Sequence, residues 1–364
     1  MSDEEGIHSV KKISRAGSGG YSIYLPKKWI SGWSEEQKES REVEIRKVGE
    51  HLILTPKINR RSYKGVSRGE SRDELIYHVL SAYINGVDDF RIIQDGLNDM
   101  EMGEIRNTMR FLDENLSVRT EEGTIEYENR PVVTYDVSHL LPLLFEKVIE
   151  AENLAADLIN DCDSNPKRCI HIMRMMHGIE KEDVNRLTLQ VFRNLSMFRG
   201  PLRSFIDVNF MWSSANMLEI IGDALFGIVQ VVCRCYGLDP NELQYPAEYL
   251  EGKIKEDFEV LGEAEKLRMQ LVIDMREAAI MLDKAREAII SGDGRGAFEY
   301  KDEIREQVRA MESEMADGIG DFCASCQDEK IPFLPVMLMS IRAREIMYLT
   351  KSLTKRAALV YFNE

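Results

Sequence analysis

The chain has 364 residues, 44% of them hydrophobic, with 47 Lys and Arg against 63 Asp and Glu and a formal net charge of −16 at pH 7. This composition excludes wholly disordered, collagen-like and disulfide-scaffold proteins, and the length predicts two or three domains of roughly 100–200 residues each. The six scattered cysteines, the acidic first residues and the lack of an apolar run of roughly 20 residues predict a cytoplasmic chain that does not insert into a membrane.

Charge is divided unevenly along the chain. Residues 1–70 carry 14 basic and 10 acidic side chains, whereas residues 71–364 carry 33 basic and 53 acidic ones. Because like charges repel, only the N-terminal part is expected to approach a polyanion such as nucleic acid.

The pattern of residues 7–57 predicts two pairs of short strands around one helical turn. The first two strands are expected at residues 7–13 and 21–25, separated by a glycine-rich turn at 14–20. Residues 27–33 have the pattern of a helical turn that glycine ends. Residues 43–48 and 51–55 flank a two-residue link suited to a tight hairpin. A unit of about fifty residues buries too little surface alone, so two copies are expected to fold together as an intertwined dimer.

Residues 19–29, Gly-Gly-Tyr-Ser-Ile-Tyr-Leu-Pro-Lys-Lys-Trp, resemble the strand–turn motif of the AbrB/SpoVT swapped-hairpin DNA-binding domain. The resemblance implies a dimer whose strands and first loop present basic side chains to double-stranded DNA. Clustered Lys and Arg displace counterions from phosphates, and Arg can also read guanine. Residues 34–40 depart from the family, because they are longer and more acidic than its usual turn. The alternative is a dimerisation module with a solvated basic face. The implied DNA-binding residues are Lys11, Lys12, Arg15, Lys27 and Lys28.

Residues 70–134 have the pattern of a small α+β spacer domain. Ser71 is placed to cap a helix that Gly86 ends, and a short strand follows at 90–93. A second helix is expected at 100–112, and then a hairpin with strands at 117–120 and 124–127. No catalytic constellation is visible here, so a spacer or second dimer surface is predicted.

From residue 136 onward the pattern is helical, with breaks at proline and glycine clusters. Six long helices are expected, three in each of two tandem three-helix bundles that each close a core. The predicted domains are 1–60, 70–134, 135–238 and 239–364. The six helices are expected near 139–162, 166–197, 203–236, 246–291, 295–320 and 332–361.

Acidic side chains recur on all three helices of the first bundle. On the first and third helices they are four or five residues apart, which we expect to place them on shared helix faces, and the second helix adds Glu180, Glu182 and Asp183. These segments resemble the PhoU domain, in which Glu/Asp-x-x-x-Asp motifs hold metal ions. Asn153 and Asn185 depart from that motif. The resemblance implies a site for a divalent or iron cation, which hard oxygen ligands suit, and a solvated helix face is the alternative. No other cofactor is expected. The candidate ligands are Glu152, Asp157, Glu182, Asp183, Glu219 and Asp223.

Together the segments resemble the archaeal-type PhoU-related regulators that carry an N-terminal AbrB domain. The expected fold is multidomain and mainly α, with a swapped-hairpin β domain, an α+β layer and two tandem bundles. The resemblance implies a homodimeric transcriptional regulator of phosphate uptake. The alternative is a PhoU-type regulator that binds a phosphate transporter or sensor kinase without binding DNA. Cys323 and Cys326 have redox spacing but are expected to be free thiols, and no enzyme motif is recognised.

Overall fold

The structure is a computed structural model that divides the chain into two compact units, Met1–Arg61 and Ser62–Glu364. The predicted boundaries at residues 134 and 238 stay predictions. The described residues are 14–16, 20–22, 24–31, 33, 38–39, 41–48, 51–56, 62–66, 71–87, 89–93, 98, 100–101, 103, 105–107, 116–121, 124–129, 137–196, 202–254, 260–262, 264–291, 313 and 333–361.

Two antiparallel strand pairs and one short helix form the described part of the first unit. The predicted turn at 14–20 is wrong at its start, because residues 14–16 form a strand that pairs with residues 20–22. In the second pair Val48 is opposite His51, so a two-residue link joins the strands, as the sequence predicts. Trp33 is buried just after the helix, and its backbone N–H donates a hydrogen bond to the carbonyl of Ile30. The elements are β1 (Ser14–Ala16), β2 (Gly20–Ser22), α1 (Lys27–Ser31), β3 (Val43–Val48) and β4 (His51–Pro56).

A four-stranded sheet and one helix open the second unit. The strand order is β5-β6-β8-β7, with β5 and β6 parallel and the other neighbours antiparallel. Helix α2 lies between β5 and β6 in sequence, as a parallel crossover requires. The predicted helix at 71–86, strand and hairpin are confirmed, and β5 adds an edge strand before them. The elements are β5 (Ser62–Val66), α2 (Arg72–Ile84), β6 (Asp89–Ile93), β7 (Leu116–Glu121) and β8 (Thr124–Asn129).

A capping box fixes the start of α2. The Glu74 backbone N–H donates to Ser71 Oγ, and the Glu74 carboxylate accepts from the Ser71 backbone N–H at 2.7 Å. These bonds satisfy backbone donors that a helix start leaves without partners. The bonds that the Ser71 backbone N–H and hydroxyl donate to the carboxylate also lower the pKa of Glu74 below its ordinary value.

Ser71→Ala is expected to weaken α2 by about 1 kcal/mol, because the Oγ acceptor is lost. Amide hydrogen exchange over residues 72–84 measures the change, and Ser71→Asp is the control that restores an N-cap acceptor. Equal exchange in wild type and Ser71→Ala would contradict the role of the cap.

The rest of the second unit is mainly helical, as the sequence predicts. Five of the six predicted long helices have described counterparts, and most of the segment predicted as the helix at 295–320 lies outside the described residues. The helices are α3 (Val137–Asp161), α4 (Pro166–Gly178), α5 (Asn185–Ser196), α6 (Leu202–Tyr236), α7 (Ala247–Glu251), α8 (Glu265–Ser291) and α9 (Phe333–Tyr361).

The described helices share one hydrophobic core that extends from Leu140 to Ala357. Helix α3 packs along α8, and α9 packs on both α6 and α8. The expectation that each bundle closes a separate core is therefore wrong for these helices. Helices assigned to different bundles bury their apolar faces against one another, which sequence periodicity within each helix cannot reveal.

The predicted helix at 246–291 is also wrong, because the structure breaks it after α7 and resumes it as α8. Between them Gly262 has φ 55, in the left-handed region that ends helices. The Asp163 carboxylate accepts hydrogen bonds from the backbone N–H groups of Val260, at 2.7 Å, and Leu261. These bonds anchor the loop to the end of α3.

The predicted helix at 166–197 is continuous but contains a π-helical turn, Ile179–Val184, between α4 and α5. A π turn changes which residues face the neighbouring helices compared with a regular α-helix. It packs closely on α6, because a Cβ placed at Gly222 would lie 3.1 Å from Val184 Cγ1.

Arg193 on α5 links the α/β layer to the helical body. Its side chain is buried and donates to the carbonyls of Tyr83, at 2.6 Å, and Val87, at 3.2 Å. Its guanidinium lies 4.7 Å from the centre of the Tyr83 ring. Ser196 adds a bond to the Ile84 carbonyl. The Arg193 side chain therefore donates hydrogen bonds to two carbonyls at and just beyond the end of α2, and it also packs on the ring of Tyr83.

Candidate functional site

The predicted DNA-binding residues fall on the first hairpin and the first helix. Arg15 is the central residue of β1 and pairs with Tyr21 of β2. Lys27 and Lys28 are the first two residues of α1, and Lys27 is exposed. Lys11 and Lys12 lie outside the described residues. The structure thus shows the backbone position of three of these residues, and their contact with DNA stays a prediction.

The buried Trp33 fixes the environment of α1. The helix is only one turn long, so a buried indole just after it holds a segment that hydrogen bonds alone would not stabilise. Its first two residues are both lysines, and the described Lys27 is accessible to solvent. A lysine held in this way at the start of a fixed turn is accessible to a phosphate group.

Glu152 does not belong to a surface site. It is 0% exposed within α3, and neither carboxylate oxygen has a hydrogen-bond partner. Burial raises the pKa of Glu152 well above its ordinary value. Five residues along an α-helix correspond to a rotation of about 140°, so Glu152 and Asp157 face different directions. The expectation that they share a face is wrong.

Asp157 instead joins α3 to two other helices. It forms ion pairs with Arg168 of α4 and with Arg276 of α8. Arg276 also donates to the side-chain oxygen of Asn153, at 2.6 Å. Asn153 and Asp157 are four residues apart and do share a face, on which they bind one arginine. The first motif of the predicted metal site is therefore a contact between α3 and α8.

The two carboxylates predicted on the second helix lie in the π turn. Glu182 is exposed, whereas Asp183 lies 3.3 Å from Lys147 and 3.3 Å from Arg186. The acceptor oxygens of Asp183 are thus already engaged by cations. This arrangement favours an ion-pair role for Asp183 between α3 and the π turn.

The third predicted pair, Glu219 and Asp223, lies near enough to Glu180 of the π turn for the three charges to interact, and we call these three residues the carboxylate cluster. Burial, and then the negative charges of Asp223 and Glu180, raise the pKa of Glu219. Glu180 is buried, and its Oε1 accepts from Lys181 and Asn185 while Oε2 has no partner. Glu180 was not among the expected ligands, although it stands beside Glu182 and Asp183 in the sequence.

The six predicted ligands therefore lie in separate environments. Among the described residues, no group of three or more His, Cys, Asp or Glu side chains is arranged to hold a metal ion. A cation bound to this bundle stays a prediction.

The described cysteines Cys162, Cys169 and Cys233 are free thiols, as the sequence predicts. Burial raises the pKa of Cys169 to about 11 and that of Cys233 to about 12. These thiols stay protonated at neutral pH and are poor nucleophiles. Cys323 and Cys326 lie outside the described residues.

Comparison of the chain with protein-family models, curated proteins and solved structures finds no match.

One segment of the described helices, Val208–Tyr236, is long and apolar enough to cross a membrane. Of the most apolar 18-residue stretch in this segment, 72% is buried inside the protein. The central helix of a packed bundle has the same properties, so the segment is weak evidence for membrane insertion. The cytoplasmic location stays a prediction.

Glu152→Gln is expected to raise the free energy of unfolding of the helical body relative to wild type, and to raise it by more at pH 8 than at pH 5. Because burial raises the pKa of Glu152 in the folded state, its contribution to stability is present below the ordinary pKa and is lost as pH rises toward the folded pKa. Glutamine is a neutral isostere and removes that loss. Urea unfolding at several pH values measures it, with Glu248→Gln on the exposed side of α7 as control. Parallel curves for wild type and Glu152→Gln would contradict the assignment.

Proposed function

We propose that the chain is a homodimeric DNA-binding transcriptional regulator with a helical body that acts as a sensor or interaction module. In this proposal residues 1–61 form an AbrB/SpoVT-like swapped-hairpin domain, and the body consists of two PhoU-like three-helix bundles that share a core. The resemblance to PhoU-related regulators implies that this regulator controls phosphate uptake and homeostasis.

The observation that carries the proposal is the order of elements in the first unit. A hairpin, a short helix and a second hairpin follow one another, with Arg15 on the first hairpin and Lys27 and Lys28 on the helix. Two copies of such a unit double the number of cations in one surface. That number matters, because each phosphate neutralised releases condensed counterions.

The charge of the body supports a division of labour between the units. Residues 71–364 carry 53 acidic against 33 basic side chains, so the body is repelled by phosphates. DNA contacts are then limited to the N-terminal unit, and the body is left to bind other partners.

The body can communicate with the layer that precedes it through a defined contact. Arg193 holds the end of α2, and α5, which carries Arg193, directly follows the π turn that carries Glu180. A change in the carboxylate cluster would therefore reach the α/β layer through α5. In this proposal the cluster is where an effector or cation acts.

A binding titration tests the proposal. The intact chain is titrated onto a labelled duplex taken from the region upstream of its own gene and onto a mixed-sequence duplex of equal length. A DNA reader is expected to bind the first duplex at least about 1,000-fold more tightly than the second, which is the lower end of the range for sequence-specific readers. Equal and weak binding to both would favour the alternative, a PhoU-type regulator of a transporter or sensor kinase that does not bind DNA.

A further inference from the structure

Helix α9 exposes a line of large apolar side chains. Leu334, Ile341 and Tyr348 are 59%, 52% and 70% exposed, and they recur every seven residues. Seven residues correspond to nearly two turns, so these side chains form one stripe along the helix. Leu338 is half-buried beside them. Apolar residues at this spacing are typical of a seam that receives a second helix.

The same helix is strongly basic, although the body around it is acidic. It has five basic side chains and one acidic one, Glu345. Helical spacing places Lys355 beyond Tyr348 on the same stripe, Arg344 on one side of the stripe, and Arg342 and Arg356 on the other side. All four of these cations are exposed. We call this surface, Leu334 to Arg356 on the outer face of α9, the α9 stripe.

The packing of α9 holds the stripe in place. The opposite face of the helix, including Met339, Ala343 and Ile346, is fully buried in the core that α9 shares with α6 and α8. Arg342 lies against α6, because a Cβ placed at Gly227 would be 2.8 Å from Arg342 Nε. Its guanidinium also pairs with Glu345 at 2.8 Å. A preformed surface of this kind loses little conformational entropy when it binds.

We propose that the α9 stripe is the docking site for an acidic amphipathic helix of a partner protein. The apolar residues of that helix pack on Ile341 and Tyr348, and its flanking carboxylates face Arg344 and Lys355. Buried apolar anchors then supply most of the affinity, while the exposed charges set orientation and association rate. The inference goes beyond the proposed function and does not depend on DNA binding.

Charge and shape decide between this occupant and two others. A second copy of the stripe is disfavoured, because pairing two stripes brings like charges together. An anionic membrane is disfavoured as well, since a surface helix must sink its apolar face about 5–10 Å into the lipid boundary. Half of α9 is committed to the protein core, and among its described residues the exposed large apolar side chains form a narrow line.

Two designed helical peptides test the proposal on the full chain. Both carry leucine along a heptad seam, and they differ only in having Glu or Lys at the flanking positions. At physiological salt the Glu peptide is expected to bind at least about tenfold more tightly than the Lys peptide, measured by fluorescence anisotropy. Ile341→Ser with Tyr348→Ser, and separately Arg344→Glu with Lys355→Glu, are each expected to weaken binding of the Glu peptide by about tenfold or more.

The matched control is Met269→Ser with Ile273→Ser, which removes two exposed apolar side chains from α8. This variant is expected to change binding less than about twofold. Equal binding of both peptides, or an equal loss in the α8 variant, would overturn the proposal. Displacement of the Glu peptide by phosphatidylglycerol vesicles would overturn it in favour of a lipid surface. Unchanged peptide binding by Lys12→Ala with Arg15→Ala would support its independence from DNA binding.

Discussion

Lys12→Ala combined with Arg15→Ala is expected to weaken binding of the intact chain to duplex DNA by about 100-fold or more. In the proposed dimer the two substitutions remove four cations from one surface. Each lost phosphate contact weakens binding and reduces the salt dependence, and an arginine that reads guanine contributes about 1–3 kcal/mol besides. Fluorescence anisotropy with the upstream duplex measures the loss.

The control for this variant changes charge equally in the body. Lys266→Ala with Arg344→Ala removes two exposed cations from α8 and α9. If DNA binds only the N-terminal unit, affinity should change less than about twofold. A similar loss in both double variants would mean that net charge, rather than a defined surface of the N-terminal unit, controls binding.

Arg193→Ala is expected to lower the local stability of α2 by about 3 kcal/mol, more than the loss expected for Ser71→Ala. The substitution removes two charge-assisted hydrogen bonds and the contact with the Tyr83 ring, and it leaves the carbonyls of Tyr83 and Val87 without this donor. Amide hydrogen exchange over α2 measures it, and the protection factors of residues 72–84 should fall by about 100-fold.

Two comparisons make the Arg193 result specific. Arg193→Lys keeps the charge but offers a single ammonium in place of the planar fork, so it should recover only part of the protection. Arg234→Ala removes an exposed arginine from the last turn of α6 and should leave α2 unchanged. Unaltered exchange of α2 in Arg193→Ala would show that the layer does not depend on this contact.

Local patterns predicted the regular elements well. The capping residues at Ser71 and the proline and glycine breaks located α2, α3, α6 and α9 to within a few residues. These signals act over a few neighbouring residues, so a single sequence contains them. The hairpin of β7 and β8 was equally accessible, because its two strands flank a short turn.

The errors arose where distant residues decide the structure. The loop between α7 and α8 is held by Asp163, about a hundred positions away in sequence. Glu152 is fully buried, which its spacing from other carboxylates does not indicate. The carboxylate from another helix that acts on Glu219 is Glu180, which acidic spacing within one helix does not indicate either. Acidic spacing could therefore indicate the Glu219–Asp223 pair, but it could not identify the members that other helices supply.

The most direct test of the central claim is the salt dependence of DNA binding by the intact chain. If two copies of the N-terminal unit form a cationic surface for the double helix, a plot of log affinity against log salt concentration should have a slope of about −4 or steeper. A slope near zero, or no measurable binding at low salt, would contradict DNA recognition.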